Sequence, residues 1–187
     1  MGSLQHLLDA LRAGDDSARE GLLQHTIGRC RELARRMLNK AWDLRQIDQT
    51  DDVAQKAMLR LYKTLAHVKP PDAAAFYGLA ARQIRWVLGD LAREMGTAKV
   101  VGYRADLPEA EDPFSGPADL AEWSEFHEKI DGLPDEQREI FDLLFYEGLT
   151  QEEASAVLEM SVRSIKRRWQ RARLSLAHAL HGEWPRV

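Results

Sequence analysis

Cysteine is all but missing from this chain. Cys30 is the only one, so no internal disulfide can form, and an intracellular, cytoplasmic protein is expected. Long apolar runs are missing as well: nothing approaches the roughly 18 consecutive apolar residues that a membrane-spanning helix needs. The opening stretch MGSLQHLLDALRAGDD has neither a basic leader nor a cleavage-type apolar segment, so export is not expected. The chain is poor in Thr, Ile and Tyr and rich in Ala, Leu, Arg, Glu and Gln, which argues against an extensive sheet and predicts an all-α fold. Its six histidines are scattered, and HExxH, CxxC, P-loop and nucleophile-elbow patterns are all lacking. His178 and His181 lie one turn apart but have no further ligands nearby. No catalytic residue, metal ion or cofactor is therefore expected, and the chain does not read as an enzyme.

The most telling absence is local. The stretch SVRSIKRRWQRAR, Ser161 to Arg173, holds six cations and no acid, in a chain whose formal net charge is −4. Residues 1–96 carry 15 Lys/Arg against 12 Asp/Glu, residues 97–122 carry 2 against 6, and residues 123–187 carry 9 against 12. The modest total hides patches of both signs, and patches are what a partner feels.

Residues 97–122, TAKVVGYRADLPEAEDPFSGPADLAE, break every helical period with Pro108, Pro113, Pro117, Gly102 and Gly116. They read as an acidic linker between a block at 1–96 and a block at 123–187. The first block reads as four helices. A short one lies near Leu4–Arg12, and one from Asp16 carries Leu22, Leu23, Ile27, Leu33 and Met37. Another follows the capping-type residues Thr50 and Asp51, and the last runs from about Asp72 to Glu94 after Pro70 and Pro71.

The second block is sharper. Pro134 opens a helix with Ile140, Phe141, Leu144 and Phe145 as its buried face, and Gly148 closes it. Thr150 and Glu153 have the spacing of a capping box, with Ala154, Val157 and Leu158 pointing inward. Ser161 can cap a final helix. Two short helices joined by a tight turn, the second one basic, form a helix-turn-helix pattern.

On that last helix Val162, Ile165, Trp169, Ala172, Leu176 and Leu180 share one face, and Arg163, Lys166, Arg167, Gln170 and Arg171 share the other. Solvated faces normally mix Glu with Lys; an acid-free face predicts DNA contact. Some of these cations would hold phosphates, and those near the helix start would read guanine edges. In FYGLAARQIRWVLGDLARE, the apolar positions Phe76, Ala80, Ile84, Val87, Leu88 and Leu91 are expected on a buried face, with Arg82, Arg85, Trp86 and Arg93 opposite. Arginines beside an exposed ring suit an unpaired base. In TDDVAQKAMLRLY, Asp51, Asp52, Gln55 and Arg60 surround an apolar stripe, and taken alone ordinary solvated turns, with the two Asp favouring a helix N-terminus, explain them better than a binding role.

These motifs resemble a known family. The stretch DGLPDEQREIFDLLFYEGLTQEEASAVLEMSVRSIKRRWQRARLSL is similar to the C-terminal helix-turn-helix (region 4) of bacterial sigma factors of the extracytoplasmic-function group. TDDVAQKAMLRLYKTL resembles that family's polymerase-binding helix in region 2, and FYGLAARQIRWVLGDLARE its promoter-melting helix. The resemblance covers both blocks in order. It implies a sigma factor that binds core RNA polymerase and directs promoter-specific initiation.

Under that resemblance Ser161, Arg163, Ser164, Lys166, Arg167, Gln170 and Arg171 would read the −35 element, and Arg82, Gln83, Arg85, Trp86 and Arg93 would take the opened −10 strand. Asp51, Asp52, Gln55 and Arg60 would grip the polymerase. Promoter DNA and core polymerase are the implied partners, and the family commonly has an anti-sigma factor. Three departures stand out. Glu159 occupies a turn position where the family often has Gly, which at positive φ would cost roughly 1 kcal/mol. Lys56 replaces a usual acid, and Asp90 is displaced along the melting helix. The residues alone also fit a stand-alone helix-turn-helix regulator, or a sigma-like adaptor without promoter function.

Overall fold

In the computed structural model residues 2–39, 46–97 and 120–180 are described, and every regular element among them is helical. The first block holds α1 (Gly2–Ala13), α2 (Ala18–Gln24), α3 (Ile27–Asn39), α4 (Gln46–Leu65) and α5 (Ala73–Thr97). The second holds α6 (Leu120–Asp131), α7 (Asp135–Phe141), a π-helical turn (Asp142–Tyr146), α8 (Gln151–Val157) and α9 (Val162–Ala179). None of the helices among the described residues is long and apolar enough to cross a membrane.

Several boundaries differ from expectation for local reasons. The helix predicted from Asp16 is two helices. The N–H groups of His25 and Thr26 bond back only three residues, to Leu22 and Leu23, each at 3.2 Å, which tightens and ends α2. The carbonyl of Thr26 then accepts from Cys30 at 3.1 Å and starts α3. The side chain of Met37 lies outside the described residues. Thr50 and Asp51 do not cap α4, which is already under way from Gln46, because no proline or glycine precedes them to stop it. At α5 the cap is as expected: Asp72 Oδ1 accepts the N–H of Ala75 at 2.8 Å. Of the expected linker, residues 98–119 lie outside the described residues, and its last residues already belong to α6.

The second block follows its signals closely. Pro134 is the residue before α7, and Gly148 adopts φ +69° after the π-helical turn. At α8 the Glu153 N–H donates to Thr150 Oγ1 at 3.1 Å while Thr150 N–H donates to the Glu153 carboxylate at 2.8 Å, a closed capping box. Ser161 Oγ accepts from the Ser164 N–H at 3.2 Å and starts α9. Glu159, in the turn between α8 and α9, takes φ +51°, the left-handed conformation that glycine adopts freely.

Burial divides into two clusters. The smaller joins α1, α2, α4 and α5 through Leu8, Leu11, Leu22, Leu61, Leu65 and Phe76. The larger runs without interruption from Cys30, Leu33, Ala57, Ala81, Ile84 and Leu88 of the first block into Phe126, Phe141, Phe145, Ile165 and Trp169 of the second. Its centre is aromatic: Phe141 meets Phe145 at 5.3 Å and Trp169 at 5.0 Å between ring centroids, and Phe126 meets Phe145 at 5.2 Å. Truncating a ring buried at such a site costs about 3–5 kcal/mol. The two blocks are therefore in direct contact, with α6 and the π-helical turn lying along α5.

Candidate nucleic-acid interface

The acid-free stretch is displayed as its periodicity predicts. Ile165, Trp169, Ala172 and Leu176 anchor α9 in the core, and Arg163, Lys166, Arg167, Gln170 and Arg171 are all exposed. Ser161 and Ser164 are engaged with each other at the helix start, their hydroxyls 2.9 Å apart. Arg168 differs from its neighbours. It turns toward α7 and lies 3.4 Å from Glu136 and 3.7 Å from Glu139, tying α9 to the helix beneath it. One run of cations thus divides between an outward face and an internal tie.

On α5 the expected face is split. Arg82 is exposed on the wall of a cleft between the blocks that Lys69, Pro71 and Arg138 also line. Trp86 is 45% exposed. Arg93 pairs with Asp90 and lies 3.7 Å from Glu128 on α6. Gln83 and Arg85 correct the sequence reading, for both are buried, Arg85 to 2% exposure. The physical reason is that α5 is covered from two sides. The first block covers Phe76, Ala80 and Ile84, and the second block covers the side from which Arg85 projects.

Arg85 meets a prepared site in the second block. Its Nε donates to Asp131 Oδ1 on α6 at 2.7 Å, and its Nη1 donates to Asp142 at the start of the π-helical turn. Its guanidinium stands 5.1 Å from the centroid of the Tyr146 ring. The Tyr146 hydroxyl shares a 2.6 Å hydrogen bond with Nδ1 of His127 on α6. Burial, with the Arg85 charge second, pushes His127 down to about 3, so it is neutral here. Burial alone would weaken the Arg85 charge, but Tyr146, Asp142 and Asp131 outweigh it and hold the guanidinium protonated. A buried charge is tolerated only with partners of this kind.

A second contact crosses the blocks. Arg29 on α3 donates from Nε and Nη2 to the Phe145 carbonyl, at 3.1 and 2.8 Å. Gly148 leaves room for this approach, since a Cβ there would lie 2.9 Å from Arg29 Nε. Beside it Glu147 is buried, and neither carboxylate oxygen closes a hydrogen bond of good geometry, although the Thr26 hydroxyl is adjacent. Burial pushes Glu147 up to about 8; Thr26 and Arg29 offset this only in part, and Asp142 adds to it.

On α4, Asp51 pairs with Arg31 of α3 at 2.8 Å, and Asp52 and Gln55 are exposed. Arg60 does not share their setting: it lies against Trp86 and Asp90 of α5. No group of three or more metal-ligating side chains occurs among the described residues. Cys30 is buried, and desolvation pushes its thiol up to about 12, far from a reactive thiolate.

Sequence reasoning missed α6 and everything that depends on it: Trp123, Phe126 and His127 in the core, and Asp131 as a partner for Arg85. A signal existed in Trp123, Phe126 and Ile130, three and four residues apart, but it adjoins the proline-rich acidic segment that masked its start.

These features define a class: a fold whose regular elements, among the described residues, are all helical, with a helix-turn-helix that turns a cationic face outward. Residues 1–182 match the ECF sigma factor family, and the chain belongs to that family. It is 30% identical over 142 residues to the probable RNA polymerase sigma factor RfaY of Xanthomonas campestris pv. campestris, an alignment that covers 73% of this chain. It spans only about a third of that relative's length, 35%. Among solved structures, CnrH in complex with the cytosolic domain of CnrY aligns over 97% of this chain and 99% of that one, at 21% identity and a TM-score of 0.39.

Proposed function

We propose that this protein is a promoter-specificity subunit of bacterial RNA polymerase, cytoplasmic and without chemistry of its own. The observation that carries the reading is the face of α9, where five side chains able to contact DNA are exposed in a row on the second helix of a capped helix-turn-helix. Arg163, Lys166 and Arg167, near the helix start, would read the −35 element, and Gln170 and Arg171 would hold its backbone. Trp86 and Arg82 on α5 would take the opened −10 strand by stacking and phosphate attraction. Asp52 and Gln55, with Asp51, would grip the core enzyme. Residues 1–96 and 123–187 would act as its two functional units, joined by 97–122. An anti-sigma protein that covers these surfaces is a further expected partner.

The acidic total fits this division of labour. The isolated chain would hold DNA weakly, and affinity would come from the assembled enzyme. The test is to mix the purified protein with core RNA polymerase, separate the complex by size exclusion, and transcribe fragmented genomic DNA with it. Co-elution with new start sites supports the reading. Failure to co-elute, together with tight duplex binding by the free protein, would favour a stand-alone regulator.

A further inference from the structure

One side chain in the turn between α8 and α9 destabilises the fold locally and does no structural work there. Glu159 takes φ +51°, and it is the only non-glycine residue with a positive φ among the described residues. A Cβ is unfavourable in that conformation. The turn itself is held by its neighbours. The Met160 N–H donates to the Ser155 carbonyl at 3.0 Å, the Ser155 hydroxyl donates to the Met160 carbonyl, and Ser161 caps α9. The Glu159 side chain is exposed and makes no hydrogen bond or ion pair with the described residues. Backbone strain that nothing local offsets gathers at sites of recognition.

Its position gives the carboxylate a role. Glu159 stands two residues before the Ser161 cap, at the entry to α9, and a helix-turn-helix turns the first residues of its second helix toward base edges. No other acid follows until Glu183, so it is a lone negative group beside the cations of the outward face, Arg163, Lys166, Arg167 and Arg171. Near a duplex, phosphates repel a carboxylate. Guanine offers only acceptors, N7 and O6, on its major-groove edge, and thymine offers O4 and a methyl group. An ionised carboxylate can only accept. Its favourable partners there are the exocyclic amines. Adenine sets its amine beside the acceptor N7, and cytosine presents the N4 amine alone, so cytosine is the better match.

We propose that Glu159 is a specificity-determining residue of the −35 readout, its carboxylate accepting a hydrogen bond from the N4 amine of a cytosine while the cations of α9 hold the duplex. The inference deepens the sigma-factor reading and rests on it for its setting. The acid acts in two directions. It favours the sequence that offers the amine, and it penalises every other sequence, where an uncompensated carboxylate is left among phosphates and acceptors. Glycine at this position would give a more stable protein that discriminates less, the exchange expected where strain serves recognition.

The test measures binding of the full chain, assembled with core polymerase, to a pool of duplexes randomised across the −35 element. Wild type, Glu159→Gln and Glu159→Ala are compared. Wild type should prefer cytosine at one position by about 5- to 150-fold, the cost of one mismatched base pair. Glu159→Ala should lose the preference at that position and keep the others. Glu159→Gln, whose amide oxygen still accepts, should keep part of it. Because the side chain is exposed and unpaired, neither substitution should lower the urea midpoint, so a changed profile reports readout and not folding. An unchanged profile in Glu159→Ala overturns the proposal. So does a uniform rise in affinity across the pool with a steeper salt dependence, which would make Glu159 a general repulsion of phosphate. The same pool is offered to the free chain. If core polymerase does not bind, and the free chain shows the single-position loss in Glu159→Ala, the inference stands and the sigma-factor reading fails.

Discussion

The guanidinium of Arg60 on α4 lies 5.1 Å from the centroid of the Trp86 ring on α5, and its Nη1 reaches Asp90 at 3.7 Å. This joins the helix assigned to polymerase contact with the helix assigned to strand capture. An exposed ring held by a cation is presented at a defined angle, where a bare tryptophan would sample several rotamers.

Arg60→Ala should therefore act on promoter opening through Trp86. Trp86→Ala alone is expected to reduce permanganate reactivity of the −10 region while leaving co-elution with core polymerase intact. In a double-mutant cycle the two substitutions should fall short of additivity by about 0.5–1 kcal/mol, the size of an exposed cation–π contact. Full additivity would mean that the stack has no part in opening.

Raising the pH should loosen the contact between the blocks. The Glu147 carboxyl has an ordinary value of 4.5 and is pushed up to about 8 when buried beside Arg29, Cys30, Tyr77 and Asp142. Closure thus keeps a proton that the open form gives up. The Glu147 contribution is fully present below about 4.5 and is lost as pH rises toward about 8. Burial raises Asp142 as well, to about 6, in the same direction. His127 works the other way: its value falls from 6.5 to about 3 in the closed form, so it disfavours closure only as pH drops below 6.5. Between about 6.5 and 8 Glu147 dominates. The hydrodynamic radius should grow across that window in the wild type and stay constant in Glu147→Gln. A flat wild-type profile would place Glu147 outside the opening equilibrium.

How legible these features were in the sequence follows from the range of the interactions involved. The capping box of Thr150 and Glu153, the Ser161 cap, the glycine at 148 and the two faces of α9 are set within three or four residues of one another, and all could be read directly. Arg85 could not. Helical periodicity gives the angle at which a side chain leaves its axis, but not what waits there, and its partners lie 46 and 57 positions away. The divided helix at His25–Thr26 and the π-helical turn were hidden as well. Phe145 takes its contact from Arg29, 116 positions away, and the break at Thr26 is made by three-residue backbone bonds with no proline or glycine at the break to announce it.

Glu159→Gly should stabilise the protein. The Glu159 backbone sits at φ +51° in the helix-turn-helix turn, where a Cβ is unfavourable, and its side chain is exposed. Glycine removes that penalty, of roughly 1–2 kcal/mol, and gives back part of it as chain entropy in the unfolded state. A net gain of about 0.5–1 kcal/mol is expected, seen as a shift of the urea midpoint at constant slope. A loss of stability would mean that the glutamate side chain compensates for its own backbone.

The cations of the acid-free stretch should separate by function when altered singly. Arg167 is exposed on the outward face, and Arg168, its neighbour in sequence, is directed at Glu136 and Glu139. Arg167→Ala in the assembled enzyme should weaken binding to a duplex carrying the −35 element and lower the salt dependence by about one phosphate contact if Arg167 holds the backbone. If it reads a base edge instead, the loss should be about 1–3 kcal/mol and confined to the cognate sequence. Arg168→Ala should do neither. Its cost should appear as a loss of stability below about 1 kcal/mol, because the ion pairs it forms are partly exposed, with the salt slope of DNA binding unchanged. Equal loss of DNA affinity in both variants would show that the whole stretch acts as an undirected patch of charge, and that the two faces of α9 have no separate roles.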